Sequence, residues 1–340
     1  TGPQLLQEDV VYSPGERMWG FGLELSWTGS EYAVLGVDDS GVCRFYRMTP
    51  DGTMIGDVQS AGMGDPRCAM DWSGSVHGIV WPAPAEDGNC HFTILDADGT
   101  VVSADTVLGE AVSASPDVVW TGSEFAVTWF APPTTGDRLA MARVGADGTL
   151  IHGATVVEDA DRDHGIQGLV WNGSELATAW GRLSAIGLNI ARFDVTGSVT
   201  TTPHFIDGQR VDSENALAWT GERWALVHDH MSNVAVTFVS PDATTQVVDV
   251  GPTQSSTPTM EWTGSRLGLV WANFDSVALE ETIMFVEILQ DGTIPGAPVV
   301  LADGGLGRTS GLAWTGSEYG FVRIQGGVAD IVFNRIGWCR

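Results

Sequence analysis

The sequence predicts an all-β fold: a seven-bladed β-propeller with four antiparallel strands per blade and a last blade closed by the N-terminal strand. Three observations predict it. A phrase built on Trp-x-Gly recurs seven times in 340 residues, a period-two alternation follows each copy, and the two ends of the chain each hold part of one unit.

The phrase reads "WTGSEYAV" at 27–34, "WTGSEFAV" from Trp120, "WNGSELAT" from Trp171 and "WTGSEYGF" from Trp314. Looser copies start at Trp72, Trp219 and Trp262. The spacings are 45, 48, 51, 48, 43 and 52 residues, a period that means stacked units. Within each unit the elements follow in order. A first short strand carries an apolar residue two before the Trp: Leu25, Met70, Val118, Leu169, Leu217, Met260 and Leu312. A Thr-Gly or similar turn follows. The second strand alternates, with large apolar residues five and seven after the Trp, as in Tyr32 and Val34 or Phe125 and Val127. A third run, such as "CRFYRM" (43–48), "LAMARV" (139–144) or "NIARFD" (189–194), leads into Asp-Gly-Thr at 51, 98, 147 and 291, or "TGS" at 196. Gly supplies the positive φ of a tight hairpin. The fourth run follows, as in "TMIGDVQS" (53–60) or "TLIHGATVV" (149–157).

The seventh unit stops after its third strand, "DIVFNRIG" (330–337), while a spare strand, "GPQLLQEDVVY" (2–12), precedes the first unit. Pairing the two closes a ring and hides two sheet edges, so residues 1–340 are expected to form one domain.

Composition narrows the partners. Sixteen basic residues, all Arg, face 43 acidic ones for a net charge of −27, so phosphate backbones and anionic membranes are repelled and nucleic acid is not expected as a partner. The absence of Lys also removes Schiff-base chemistry. No apolar run reaches the roughly 18 residues of a membrane helix, and no membrane insertion is expected. The chain begins at Thr1 rather than Met, which is read as a removed leader or a trimmed end. Cys43, Cys68, Cys90 and Cys339 have no zinc-site spacing. A bridge from Cys68 to Cys43 or to Cys90 is expected, and with it an oxidising compartment.

The repeat resembles that of secreted bacterial seven-bladed propellers built on Trp-x-Gly-x-x-aromatic units. The resemblance covers nearly all of the chain and implies an exported protein, although the group carries no single activity. The Gly-His and Trp-Asp of WD40 blades and the Gly-Gly of kelch are absent, and the Asp-Gly-Thr turns lack the downstream Trp of a sialidase Asp-box.

Chain direction then sorts the surface. The Thr-Gly and Asp-Gly turns fall on one face, and the longer, irregular connections on the other: 38–41, 82–89, 130–137, 158–165, 207–215 and 272–281. Variable loops on a rigid scaffold are where recognition usually sits. The ligand-contact candidates on that face are Trp129, Trp180 and Trp271, nine after the repeat Trp, with Arg162, Arg182 and Arg323. Strand parity equally allows these Trp to pack between blades. Gly36, His228 and Arg323 break the Trp pattern at the same position.

"HDHM" (228–231) sets His228 and His230 two apart. With Asp163 and His164 they are the candidate ligands of a divalent metal, calcium or zinc. "DADRD" (159–163) starts like a calcium loop but has His164 where the glycine belongs. His77, at an aromatic core position, is read as packed between blades. Asp117 and Glu24 are candidate acids near the central channel. No nucleophile elbow, HExxH, P-loop or dinucleotide fingerprint is present.

The reading is a non-enzymatic binding or interaction module, secreted, periplasmic or on a bacterial cell surface. Its carbohydrate, small-molecule or protein ligand sits on the long-loop face near the central channel. The alternatives are a polysaccharide-directed hydrolase or lyase, metal-dependent through His228 and His230, and a purely structural repeat of a surface protein.

Overall fold

The computed structural model describes residues 2–12, 18, 23–63, 67–83, 87–111, 116–131, 138–159, 162–182, 187–207, 216–230, 233–252, 258–275, 280–304, 309–325 and 330–338. Strand β1 (Gln4–Tyr12) comes first. Blade 1 is then β2 (Glu24–Trp27), β3 (Tyr32–Val37), β4 (Val42–Met48) and β5 (Met54–Met63). Blade 2 is β6 (Ala69–Trp72), β7 (Val76–Pro82), β8 (Asn89–Asp96) and β9 (Val101–Glu110). Blade 3 is β10 (Asp117–Trp120), β11 (Phe125–Ala131), β12 (Arg138–Val144) and β13 (Leu150–Asp159). Blade 4 is β14 (Arg162–Trp171), β15 (Leu176–Arg182), β16 (Gly187–Phe193) and β17 (Val199–Asp207). Blade 5 is β18 (Leu217–Trp219), β19 (Trp224–His230), β20 (Asn233–Val239) and β21 (Thr245–Pro252). Blade 6 is β22 (Thr259–Trp262), β23 (Arg266–Asp275), β24 (Glu280–Leu289) and β25 (Val299–Gly304). Blade 7 is β26 (Thr309–Trp314), β27 (Tyr319–Gln325) and β28 (Asp330–Gly337), and its fourth strand is β1, antiparallel to β28 from Gln4↔Gly337 to Tyr12↔Ile331. The fold is therefore an all-β propeller of seven four-stranded blades, with the end-to-end splice that the sequence requires.

The repeated phrase is mostly a turn. Its Gly takes a left-handed backbone in every copy, from φ 90 at Gly221 to φ 103 at Gly29, where a side chain would be strained. The residue before it, Thr in five copies, closes the turn through its N–H, as Thr28 does on the Glu31 carbonyl at 3.0 Å. The Thr28 hydroxyl donates to the same carbonyl at 2.9 Å. The Glu that follows then reaches an Arg on the third strand. The pairs are Glu31–Arg47 at 2.6 Å, Glu124–Arg143 at 2.6 Å, Glu175–Arg192 at 3.4 Å and Glu318–Arg335 at 2.7 Å, and blade 6 reverses the order with Arg266–Glu287 at 2.9 Å. Blade 5 departs twice. Arg223 lies over the Phe238 ring at 4.3 Å, and Ala243, not Gly, holds the left-handed position of its second hairpin.

Core packing runs between blades. The repeat Trp rests on the residue five later, as in Trp27–Tyr32 at 4.7 Å and Trp314–Tyr319 at 4.6 Å between ring centroids. That residue in turn meets a third-strand aromatic of the preceding blade: Phe333 with Tyr32, Phe92 with Phe125, and Phe285 with Tyr319. His77 fills the same role, fully buried against Phe45 and Trp72 as expected from its position. Burial, with the nearby Arg47 charge, pushes its pKa down to about 3, so it packs as a neutral ring. One residue further along the second strand only Gly or Ala fits. A Cβ on Gly268 would lie 2.4 Å from the Tyr319 ring, and one on Gly320 2.5 Å from that of Tyr32.

Several loops read from sequence are shorter than expected. Strand β13 continues to Asp159 and β14 starts at Arg162, so most of 158–165 is strand, and β23 and β24 extend to Asp275 and from Glu280. Charged residues disguise these extensions, because apolar alternation is the mark by which a strand is read from sequence and these stretches lack it.

Candidate functional site

The position nine after the repeat Trp is an inter-blade wedge. Trp129, Trp180 and Trp271 are 0, 1 and 1% exposed, so these rings present no face to a ligand, and the expectation of a stacking surface gives way to the packing role. A glycine on the outer strand of the preceding blade lies beside the ring in three cases: Gly62 by Trp81, where a Cβ would come within 2.5 Å of the indole, Gly251 by Trp271 at 3.3 Å and Gly109 by Trp129 at 3.5 Å. The indole N–H of Trp129 donates to the Glu110 carbonyl at 2.9 Å, and that of Trp271 to the Pro252 carbonyl at 3.4 Å, in each case the residue after the glycine. The exceptions are filled from inside as well. Met18 and Leu23 occupy the space beside Gly36, where a Cβ would lie 2.6 Å from the Met18 methyl carbon. His228 is fully buried with Nε2 2.7 Å from the Thr237 hydroxyl, and Arg323, 1% exposed, is equally withdrawn from a ligand arriving from solvent.

His230 ends β19, while Asp163 and His164 lie on β14 of the neighbouring blade; their side chains lie outside the described residues. Among the described residues, no group of three or more His, Cys, Asp and Glu is placed to hold a metal ion. Strand register in blade 4 brings two predicted contacts together. Arg162 and Arg182 are direct partners across β14 and β15, at the loop-face end of blade 4 and one short step from Trp180, which pairs with Ile166. Side chains of both Arg lie outside the described residues.

The channel wall holds a second set of groups, which the sequence only half revealed. Glu24 Oε2 accepts the Met70 N–H at 2.5 Å, and Asp71 Oδ2 accepts the Trp120 N–H at 2.6 Å. Asp117 is bonded by the Leu169 N–H, and Glu261 by that of Trp314. Each carboxyl thus ties the innermost strand of its blade to the innermost strand of the next. Burial between those strands pushes Asp71 up to about 6, Asp117 to about 7 and Glu261 to about 8, and the charge of Asp71 adds to the rise at the latter two. The folded chain therefore holds protons that the unfolded chain releases near its ordinary carboxyl values. This stabilisation is complete below about pH 4 and is lost as pH rises towards 8. In Glu261→Gln the fall in stability between pH 5 and pH 8 should shrink by on the order of 1–2 kcal/mol. Thermal melts of the two proteins at both pH values measure it, and parallel curves would refute it.

Cys43 and Cys68 form the disulfide, with Cα atoms 6.3 Å apart, and join blade 1 to the start of blade 2. Of the two expected bridges it is the one realised; Cys90 is buried as a free thiol, and Cys339 lies outside the described residues.

The architecture and its closed ring define the class as β-propeller. No family model and no curated protein matches the chain. Solved structures do. The chain is similar to Kuenenia stuttgartiensis hydrazine synthase, with a TM-score of 0.62 and 12% identity over 94% of this chain and 95% of that one. It is also similar to the β-propeller domain of the trilobed protease from Pyrococcus furiosus, described as having an open velcro topology, with a TM-score of 0.56 and 8% identity over 95 and 94%. A third is Pyrococcus horikoshii acylaminoacyl peptidase, with a TM-score of 0.53 and 7% identity over 92% of this chain and 49% of that one. At such identities the likeness is one of fold alone.

Proposed function

We propose that the chain is an extracytoplasmic, non-enzymatic binding or interaction module of the secreted bacterial Trp-x-Gly type. Its ligand, a carbohydrate or small molecule bearing an anionic group, docks at the loop-face end of blade 4. The observation that carries this reading is the pairing of Arg162 with Arg182. The backbone register brings two of the chain's few cations to the same strand end, a local concentration of positive charge suited to an anionic group. The chain has only 16 cations, and most of the blade turns use theirs to neutralise the glutamate of the repeat. The Cys43–Cys68 bridge supports an oxidising compartment.

A binding screen of neutral, uronic-acid and sialylated glycans, with reducing-end release assayed in parallel, tests the proposal. The expected outcome is binding of an acidic glycan without turnover, weakened at least tenfold in Arg162→Ala/Arg182→Ala. Sugar release would favour the hydrolase or lyase reading, with His228→Ala and His230→Ala as the deciding variants. Silence in both assays would favour a structural repeat.

A further inference from the structure

Opposite the wedge tryptophan, on the third strand, stand Ala140, Asn189 and Met284 in blades 3, 4 and 6, but His91 in blade 2. Trp81 accommodates it. Its indole N–H donates sideways to the Thr93 hydroxyl at 3.2 Å, where those of Trp129 and Trp271 reach a backbone carbonyl, and its ring stacks on the imidazole at 4.5 Å between centroids with 18° between the planes. The outer strand is altered at the same level. Ala104 and Asp105 fall at a break in the β8–β9 register between Ser103 and Thr106, and Asp105 there has φ 62. Among the described residues only Asp105 and Ala243 hold a left-handed backbone without being glycine. Bulges re-aim side chains, and left-handed residues other than glycine gather at functional sites. The carboxylate aimed in this way bonds Nδ1 of His91.

That bond sets the other nitrogen. A carboxylate only accepts, so in the neutral ring Nδ1 carries the proton and Nε2 presents its lone pair. Nε2 is buried and lies 3.2 Å from Asp87 Oδ2, yet makes no hydrogen bond, so that oxygen sits off the axis along which a ring N–H would point. The other Asp87 oxygen is held by the Asn89 amide. A lone pair and a carboxylate oxygen turned to one point call for a cation between them, and off-axis placement suits a metal better than a proton. Nitrogen and oxygen ligands about 2.0–2.1 Å from a tetrahedral ion lie roughly 3.3 Å apart, and a carboxylate on the far nitrogen is the usual support of a ligating histidine. We propose that blade 2 carries a divalent transition-metal site of the zinc class, with His91 Nε2 and Asp87 Oδ2 as ligands and Asp105 as the residue that orients the imidazole. An imidazole with one carboxylate selects such ions over calcium, which takes an all-oxygen shell. Asp87 is 45% exposed, so an ion arrives from solvent and keeps its remaining positions for water or for a donor atom of a ligand.

Calorimetric titration of the full chain with zinc chloride, in buffer holding a large excess of calcium, tests this. Saturable one-to-one binding is expected. Asp87→Asn, at an exposed position, should weaken it at least tenfold, and Asp105→Asn, which keeps a residue tolerant of the left-handed backbone, about tenfold. Asp147→Asn, at a hairpin turn, should change it less than twofold. Copper(II) added in place of zinc should dim a fraction of the tryptophan emission that is missing in Trp81→Phe, since the indole lies against the ligating ring. Absence of saturation, or equal weakening by Asp147→Asn, would reduce the effect to diffuse attraction to a chain of net charge −27 and overturn the proposal. Binding lost in His230→Ala but kept in Asp87→Asn would place the ion at the other histidines and overturn it as well.

Discussion

Removal of residues 2–12 should cost about 5 kcal/mol or more, enough to abolish a sharp thermal transition or lower it by 10 °C or more. The deletion removes the whole of β1, and with it the ladder to β28 from Gln4↔Gly337 to Tyr12↔Ile331. It also removes the Tyr12 ring from its edge-on contact with Tyr46, 5.5 Å between centroids, and Leu5 from the cluster that holds Phe321 and Ile336. At about 1 kcal/mol for each net hydrogen bond, the ladder and these apolar contacts together reach that figure. The bared edge of β28 should make the truncated protein self-associate. Size-exclusion chromatography and melting curves test this, and addition of the 2–12 peptide in trans should recover part of the transition. A truncated protein that stays monomeric and melts with the full chain would show that the ring closes without its splice.

The second large effect is expected at the same seam. Gly320→Val should destabilise the fold by about 3 kcal/mol, the upper range for overpacking, because its Cβ would enter the Tyr32 ring at 2.5 Å. The strain cannot be relieved within one blade, since Gly320 belongs to blade 7 and Tyr32 to blade 1. Tyr32→Leu should therefore rescue part of the loss. Leucine already occupies the equivalent position as Leu176 and Leu267. A denaturant-based double-mutant cycle reads the coupling, and additive losses would place the damage elsewhere.

The architecture was legible because each blade repeats the same physical need at the same place. A left-handed turn requires Gly, a polar neighbour closes it, and the second strand presents a large side chain to the preceding blade. What could be read less well depends on pairs distant in sequence. The glycines under Trp81, Trp129 and Trp271 were visible only as strand residues, yet Gly62, Gly109 and Gly251 each precede their tryptophan by about twenty positions, a spacing that could have linked them. Of the four channel carboxyls the sequence singles out only Asp117 and Glu24, and as acids rather than ties between blades, because a single strand does not reveal that its open edge faces the N–H groups of another blade. Asp71 and Asp117 even occupy different places relative to their own Trp. The candidate site was legible in part: sequence selected Arg162 and Arg182 as loop-face cations, but their direct opposition emerged only once β14 was seen to begin well before the apolar stretch.

The two tryptophan positions of the repeat sort the indoles by environment. The seven repeat Trp are half-buried beside the turns, whereas Trp81, Trp129, Trp180 and Trp271, nine residues further on, are buried, as is Trp224 within blade 5. The chain therefore carries its own pair of optical reporters. A quencher dissolved in the buffer will dim the outer set while sparing blue-shifted emission from the inner one, so loosening between neighbouring sheets can be followed by light without attaching a dye.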